Sequence, residues 1–108
     1  RCYILRNDGG LLYQTPDHVN RILGWETLSR CFFSYNSAKL VPDIIQLHIE
    51  AGDRILLCSD GVYKSIVPYV LQERMMDDKF PQDILDVFDF LCEKNGDDNY
   101  TAILACIE

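Results

Sequence analysis

Gly52-Asp53-Arg54-Ile55-Leu56-Leu57-Cys58-Ser59-Asp60-Gly61 reads as a tight turn, a strand, and a carboxylate held at the strand's end beside a glycine. Ile55-Leu56-Leu57-Cys58 is continuously apolar, which predicts a strand buried on both faces. Far downstream a second acidic turn, Gly96-Asp97-Asp98-Asn99, adjoins another apolar strand, Tyr100 to Ile107. Two carboxylates at the ends of two apolar strands suggest a hard-cation site. Such a cation takes oxygen ligands, and a rigid backbone holds them in place.

The flanking sequence predicts how these strands are packed. Cys2 to Arg6 reads as a strand and Leu11 to Gln14 as its return, joined through Asn7-Asp8-Gly9-Gly10. Asp-Gly and Gly-Gly supply the positive φ that hairpin turns need. Thr15 to Asn20 is expected to be loop, because Pro16 steers Thr15 away from helix. Arg21 to Leu40 is the hardest stretch to read; within it Leu28 to Tyr35 predicts a strand and Tyr35-Asn36-Ser37 a turn. Asp43 to Glu50 alternates imperfectly and predicts a strand with one polar face. Two helices are expected late in the chain. Val67 to Met76 has Pro68 in its first turn, where a missing N–H costs little. Pro81 to Asn95 has Pro81 and early acids Asp83 and Asp86, an apolar stripe of Ile84, Leu85, Phe88, Leu91 and Cys92, Lys94 in its last turn, and Gly96 as its stop. The fold class is therefore α+β: a mainly antiparallel sheet with two helices packed on one side.

Length and composition bound what such a fold can do. At 108 residues the chain is at most one domain and can bury roughly two-thirds of its unfolded surface. A net charge of −7 argues against nucleic acid, which requires clustered Lys and Arg. No apolar run approaches the ~18 residues of a membrane span, so no membrane insertion is expected. The five cysteines, Cys2, Cys31, Cys58, Cys92 and Cys106, form no Cys-x-x-Cys pair. They read as reduced, buried small hydrophobes, which favours the cytoplasm.

Gly-Asp-Arg-x-Leu-Leu-x-Ser-Asp-Gly, followed later by Asp-Asn and an apolar strand, resembles the PP2C-type (PPM) metal-dependent serine/threonine phosphatases. The upstream strand-turn-strand and Thr15-Pro16-Asp17-His18 resemble that family's Thr-x-Asp-His element, so the likeness runs through essentially the whole chain. It implies half of an α/β/β/α sandwich. It also implies two Mn²⁺ or Mg²⁺ ions in the complete site, a metal-bridging water that attacks phosphorus, and a phosphorylated protein as substrate. By matching motifs, Asp60 and Asp98 are the metal ligands, both on the same ion. The resemblance covers the family's C-terminal half only. The Asp-Gly-His-Gly motif and the phosphate-holding arginine belong to the other half, and the only Asp-Gly pairs here are Asp8-Gly9 and Asp60-Gly61. Because the chain opens at Arg1 directly into a strand, we expect residues 1–108 to be a single partial domain. It would be a fragment, a truncation, or a domain whose other half lies elsewhere. No complete catalytic set is expected within it.

Each site residue also has a plainer reading. Asp60 could be a helix N-cap or turn aspartate, and Asp98 a turn residue, with Asp97 as its rival. His18 reads as a structural or hydrogen-bonding loop residue, and His48 as solvated. Asp53 and Arg54 read as shaping their turn, and Asp77-Asp78 as a solvated loop. Ser59 has no neighbouring histidine in sequence to activate it. Val62-Tyr63-Lys64 and Gly96-Asp97 depart from the family pattern, and Lys64 opposes cation binding slightly. Two functions follow as expectations: a phosphoprotein phosphatase represented by its C-terminal portion, or a non-catalytic module that self-associates or pairs with a missing half. An unrelated α+β protein sharing these turns is a third.

Overall fold

A computed structural model describes residues 1–29 and 42–108. The chain forms two compact units, residues 1–15 with 49–108, and residues 16–48.

The first unit holds strands β1 (Cys2–Leu5), β2 (Leu11–Gln14), β5 (Arg54–Cys58) and β6 (Ala102–Cys106) in one four-stranded sheet of order β2-β1-β5-β6. Every neighbouring pair is antiparallel. The expected first hairpin is present. Gly9 takes φ +87°, Arg6 N donates to Gly10 O at 2.8 Å, and Asp8 Oδ1 accepts from Gly10 N at 2.8 Å. Strand alternation puts Tyr3, Leu5, Leu56 and Leu104 on one face. Against that face pack helices α1 (Asp60–Tyr63), α2 (Pro68–Met75) and α3 (Pro81–Asn95). Their buried contributions are Val62, then Leu71 and Met75, then Ile84, Phe88 and Cys92, with Ile66 from the α1–α2 link. A fully buried side chain such as Ile84 or Phe88 contributes about 1.5–3 kcal/mol, so the α3 stripe is a main anchor of the helical layer.

The helices therefore pack on one side, as the apolar patterns predict, and Pro68 and Pro81 sit at the helix starts. The one-turn α1 is additional. The other face of the sheet corrects the reading of β5 as doubly buried. Leu57 is 48% exposed, and its cross-strand neighbour Ile103 is 64% exposed. The run Ile55-Leu56-Leu57-Cys58 is apolar on both sides, but the unit's helices cover only the Leu56 side.

Arg54 does more than shape its turn. It lies on the helical face and donates to Met75 O and Asp77 O, both at 2.6 Å. Carbonyls at a helix C-terminus lack intrahelical partners, and a guanidinium both satisfies them and complements the helix dipole. Asp53 acts as expected. Its Oδ2 accepts from Glu50 N at 2.8 Å and from Arg6 Nη1 at 3.1 Å, closing the turn before β5. Arg6 also pairs with Glu50 at 3.1 Å.

The predicted strand over Asp43 to Glu50 is not formed; residues 42–50 are irregular and exposed. Its alternation is broken at Ile44-Ile45, and a strand needs a neighbouring ladder to accept its backbone groups. The turn Tyr35-Asn36-Ser37, most of the Leu28 to Tyr35 strand, and Cys31 lie outside the described residues.

In the second unit, β3 (Val19–Ile22) and β4 (Trp25–Leu28) form an antiparallel hairpin where loop and unassigned sequence were expected. Its two-residue loop is Leu23-Gly24, with φ +51° and +82°. Those are the values of a type I′ turn, which matches strand twist but usually selects Asn-Gly. Leucine in that position hides the signal. Arg21 pairs with Glu26 directly across the ladder at 3.4 Å.

Leu23 is 96% exposed, so replacing it removes no packing. A left-handed conformation costs a branched residue about 1–2 kcal/mol. Leu23→Asn is therefore expected to raise hairpin stability by about 1 kcal/mol. Hydrogen exchange should show slower exchange of the β3–β4 amides with core amides unchanged; equal or faster exchange in the hairpin would refute the turn assignment.

Candidate functional site

The end of β5 and the start of β6 are tied together beyond the ladder itself. Cys58 faces Ala102 in register. Ser59 N donates to Thr101 O at 3.0 Å, and Ser59 Oγ accepts from Thr101 N at 3.0 Å. Ser59 thus works as a strap, in keeping with its dismissal as a nucleophile.

Two residues on, Gly61 brings the two acidic turns together. A Cβ on Gly61 would stand 2.1 Å from Asn99 O and 3.0 Å from Asn99 C. That is backbone, which cannot swing aside as a side chain does. Glycine is therefore what lets the first turn of α1 lie against Asn99. Asp60 immediately precedes Gly61, and Asp98 immediately precedes Asn99. The close approach sets both sequence-predicted ligands at the same end of adjacent strands, and both are exposed.

Gly61 is also held from behind. Ser65 Oγ donates to Gly61 O at 2.6 Å, and a Cβ on Gly96 would stand 2.1 Å from that same Ser65 Oγ. Gly96 does end α3, but with an extended φ of −111°. Close packing against Ser65 explains this glycine better than a left-handed cap does.

The carboxylates themselves have local partners. Asp60 is the first residue of α1, with Ser59 as its N-cap, so the N-cap reading of Asp60 is displaced by one residue. Its Oδ2 lies 3.2 Å from Lys64 Nζ, an exposed pair spaced i,i+4. Asp98 Oδ1 accepts from Asn99 N at 2.8 Å, so Asp98 also serves its own turn. Among the described residues, no group of three or more His, Cys, Asp or Glu side chains is placed to hold a metal ion. Carboxylate oxygens are the hard donors that Mg²⁺ or Mn²⁺ takes.

Tyr100, which the sequence reading did not single out, braces the Asp98-Asn99 turn from the helical side. Its hydroxyl lies 2.5 Å from both Asp89 Oδ1 and Glu93 Oε1. A phenol has one proton, so it donates to one carboxylate at a time. Hydrogen bonding to Asp89 and then Glu93 pushes its ionisation well above the ordinary tyrosine range. The available signal was the i,i+4 spacing of Asp89 and Glu93 on one face of α3. Beside this brace a shallow cavity of about 240 Å³, lined by Phe88, Tyr100, Thr101 and Asp86 among others, includes neither Asp60 nor Asp98.

The remaining candidates have structural roles. His18 Nε2 lies 2.7 Å from Asp43 Oδ2, and His18 O accepts from Ser29 N at 2.8 Å, the hydrogen-bonding role expected of it. His48 is exposed. Asp77 is more than solvated loop, because its carboxylate pairs with Arg74 at 3.2 Å. Cys2, Cys58, Cys92 and Cys106 are free thiols, and burial pushes the first three above the ordinary thiol range. Of these, Cys92 is buried, while Cys2, Cys58 and Cys106 are only partly buried, so the expectation of buried thiols holds fully for Cys92 alone. No helix among the described residues is long and apolar enough to cross a membrane.

No family model and no curated protein matches this chain. Solved structures do. The serine/threonine phosphatase PstP/Ppp of Mycobacterium tuberculosis matches with a TM-score of 0.75 and 26% identity, over 100% of this chain and 51% of that one. PppA of Pseudomonas aeruginosa, described as a key regulatory component of T6SS, matches with a TM-score of 0.72 and 24% identity, over 96% of this chain and 46% of that one. The chain thus spans about half the length of the structures it matches. Both are PP2C-type phosphatases, and the half-length match is consistent with the C-terminal half of that fold.

Gly61→Ala tests the contact that joins the two turns. Forcing a methyl group against a fixed carbonyl is expected to lower stability by about 1–3 kcal/mol. Urea denaturation should show a lower midpoint with an unchanged slope; an unaltered midpoint would mean that Gly61 and Asn99 are not in close contact.

Proposed function

We propose that this protein removes phosphate from serine or threonine in phosphorylated proteins, with Mn²⁺ or Mg²⁺. Residues 1–108 would form one partial PP2C-like domain that supplies part of the metal site. The observation that carries this reading is the contact of Gly61 with Asn99, which holds Asp60 and Asp98 at one end of the β5–β6 pair. The likeness to a serine/threonine phosphatase supports it.

In this reading Asp60 and Asp98 hold one divalent cation through hard carboxylate oxygens. The Ser59–Thr101 strap and the Tyr100 brace fix the backbone from which they project. When bound, such an ion supplies an acidified water and neutralises charge on the transferring phosphoryl group. Further ligands and the phosphate-holding arginine would come from the half that the resemblance assigns to the rest of the family domain. The free thiols of the four described cysteines suit a reducing, cytoplasmic setting.

A second reading is favoured by the exposed row Leu57–Ile103. A sheet face left apolar and accessible seeks a covering layer. A non-catalytic module that self-associates, or pairs with a complementary half, would use it.

The deciding experiment is hydrolysis of a small aryl phosphate in Mn²⁺ by the protein together with the complementary half of the domain. Asp60→Asn and Asp98→Asn are each expected to reduce turnover at least about 100-fold, as for loss of other charge-stabilising groups in a transition state. Unchanged turnover in Asp60→Asn overturns the assignment. For the second reading, sedimentation should show mass rising with concentration and returning to that of a monomer in Ile103→Lys. A clean monomer at high concentration in the unmodified chain counts against self-association.

A further inference from the structure

We infer that the cavity between α3 and the start of β6 seats an arginine side chain of the phosphorylated protein. That the arginine is the substrate's rests on the proposed phosphatase reading; that the cavity takes a guanidinium rests on the cavity alone. Its floor is apolar, with Val62 and Phe88 buried and Leu85 beside them. Its rim is acidic and exposed. Asp86 and Asp89 line it, and Glu93 joins them through the Tyr100 hydroxyl. These acids stand at i, i+3 and i+7 on α3, so they share one face of the helix. At about 240 Å³ the cavity is smaller than the roughly 300–1,000 Å³ of small-molecule sites. It has room for one long side chain.

Charge decides the occupant. Asp53 pairs with Arg6, Asp60 with Lys64 and Asp77 with Arg74. The cavity acids have neutral partners instead. Asp86 Oδ1 accepts from Gln82 Nε2 at 2.9 Å, while Asp89 and Glu93 compete for the single proton of Tyr100. Among the described residues, no Lys, Arg or His forms an ion pair with any of the three. Like charges at this spacing repel, and Glu93 in the last turn of α3 also opposes the helix dipole. The negative field reaches the cavity wall, where the Cys92 thiol is pushed up by burial first and then by Asp89 and Glu93. A seated cation relieves this repulsion. A guanidinium suits the place better than an ammonium: it is weakly hydrated, its donors lie in one plane, and its stem can lie on the apolar floor. The net charge of −7 draws basic partners from a distance. The walls include Val62, in the helical turn that opens with Asp60, and Thr101, three positions after Asp98. A segment whose arginine sits there runs along the same end of the β5–β6 pair as the two candidate ligands.

The first test needs no turnover. N-acetylarginine amide is titrated into the protein while backbone amide resonances are followed by NMR. The amides of Leu85, Asp89 and Thr101 are expected to shift. N-acetylcitrulline amide, of the same shape but uncharged, should bind about 5-fold more weakly. Asp86→Asn and Asp89→Asn, both exposed and isosteric, should each weaken arginine binding about 2- to 5-fold. Equal binding of arginine and citrulline, or no shift at these amides, overturns the inference. So does an equal loss in Asp78→Asn, an exposed acid that does not line the cavity, because overall charge would then account for the effect. The second test adds the complementary half of the domain and Mn²⁺. Its substrates are phosphoserine peptides that carry a single arginine at increasing separation from the phosphate. At the best separation, replacing arginine by citrulline should lower kcat/KM about 2- to 5-fold, and Asp86→Asn should abolish that preference. If the complementary half displaces the arginine amide, or no peptide shows the preference, the arginine is not the substrate's and the inference fails. If even a small aryl phosphate is not hydrolysed, the phosphatase reading fails and the substrate assignment fails with it, while the titration still decides whether the cavity takes a guanidinium.

Discussion

The contact on which the site depends is the approach of Gly61 to the carbonyl of Asn99. A strand end and a turn nearly forty positions apart are brought together there with no room for a methyl group between them. The antiparallel β5–β6 ladder makes the approach possible by running the two strands side by side with Cys58 opposite Ala102. The strap from Ser59 to Thr101 extends that pairing past the end of the sheet, and Ser65 holds the Gly61 carbonyl from the other side. Asp60 and Asp98 inherit their placement from these backbone constraints. Neither carboxylate has to find the other through its own side-chain contacts.

The rest of the first unit supports that junction from one side. Tyr3, Leu5 and Leu56 present an apolar sheet face, and α3 lays Ile84, Phe88 and Cys92 in the same core cluster. Arg54 crosses from the sheet to the end of α2, and Tyr100 reaches from the Asp98-Asn99 turn to α3. The helical layer is thus fastened to the sheet by polar contacts as well as by burial. The opposite face keeps an apolar row, Leu57 and Ile103, open to solvent. That asymmetry agrees with a chain that matches about half the length of PP2C-type phosphatase structures.

Much of this was legible in the chain. The hairpin around Asp8-Gly9, the apolar strand before Ser59, the two prolines opening helices, and the stripe along α3 all carry local signals strong enough to survive packing. Asp60 and Asp98 stood out because each lies in a turn next to an apolar strand. The misses have equally local causes. Leucine at the head of a type I′ turn concealed the β3–β4 hairpin. Imperfect alternation over Asp43 to Glu50 suggested a strand, but a strand is a property of a pair. The continuous apolar run of β5 suggested two covered faces, but period and composition say only that a face is apolar.

The sequence by itself determined the first hairpin, the apolar strands β5 and β6, helices α2 and α3 and the α+β class. Each of these follows from residue chemistry acting over a few neighbouring positions. Only the tertiary structure decided that Gly61 lies on Asn99, that Gly96 yields to Ser65, that Arg54 caps α2, and that Tyr100 bridges to Asp89 and Glu93. These contacts join positions far apart in the chain, and nothing in local periodicity encodes the distance between them. They exist because the antiparallel sheet and the buried helical layer bring those positions within hydrogen-bonding and van der Waals reach.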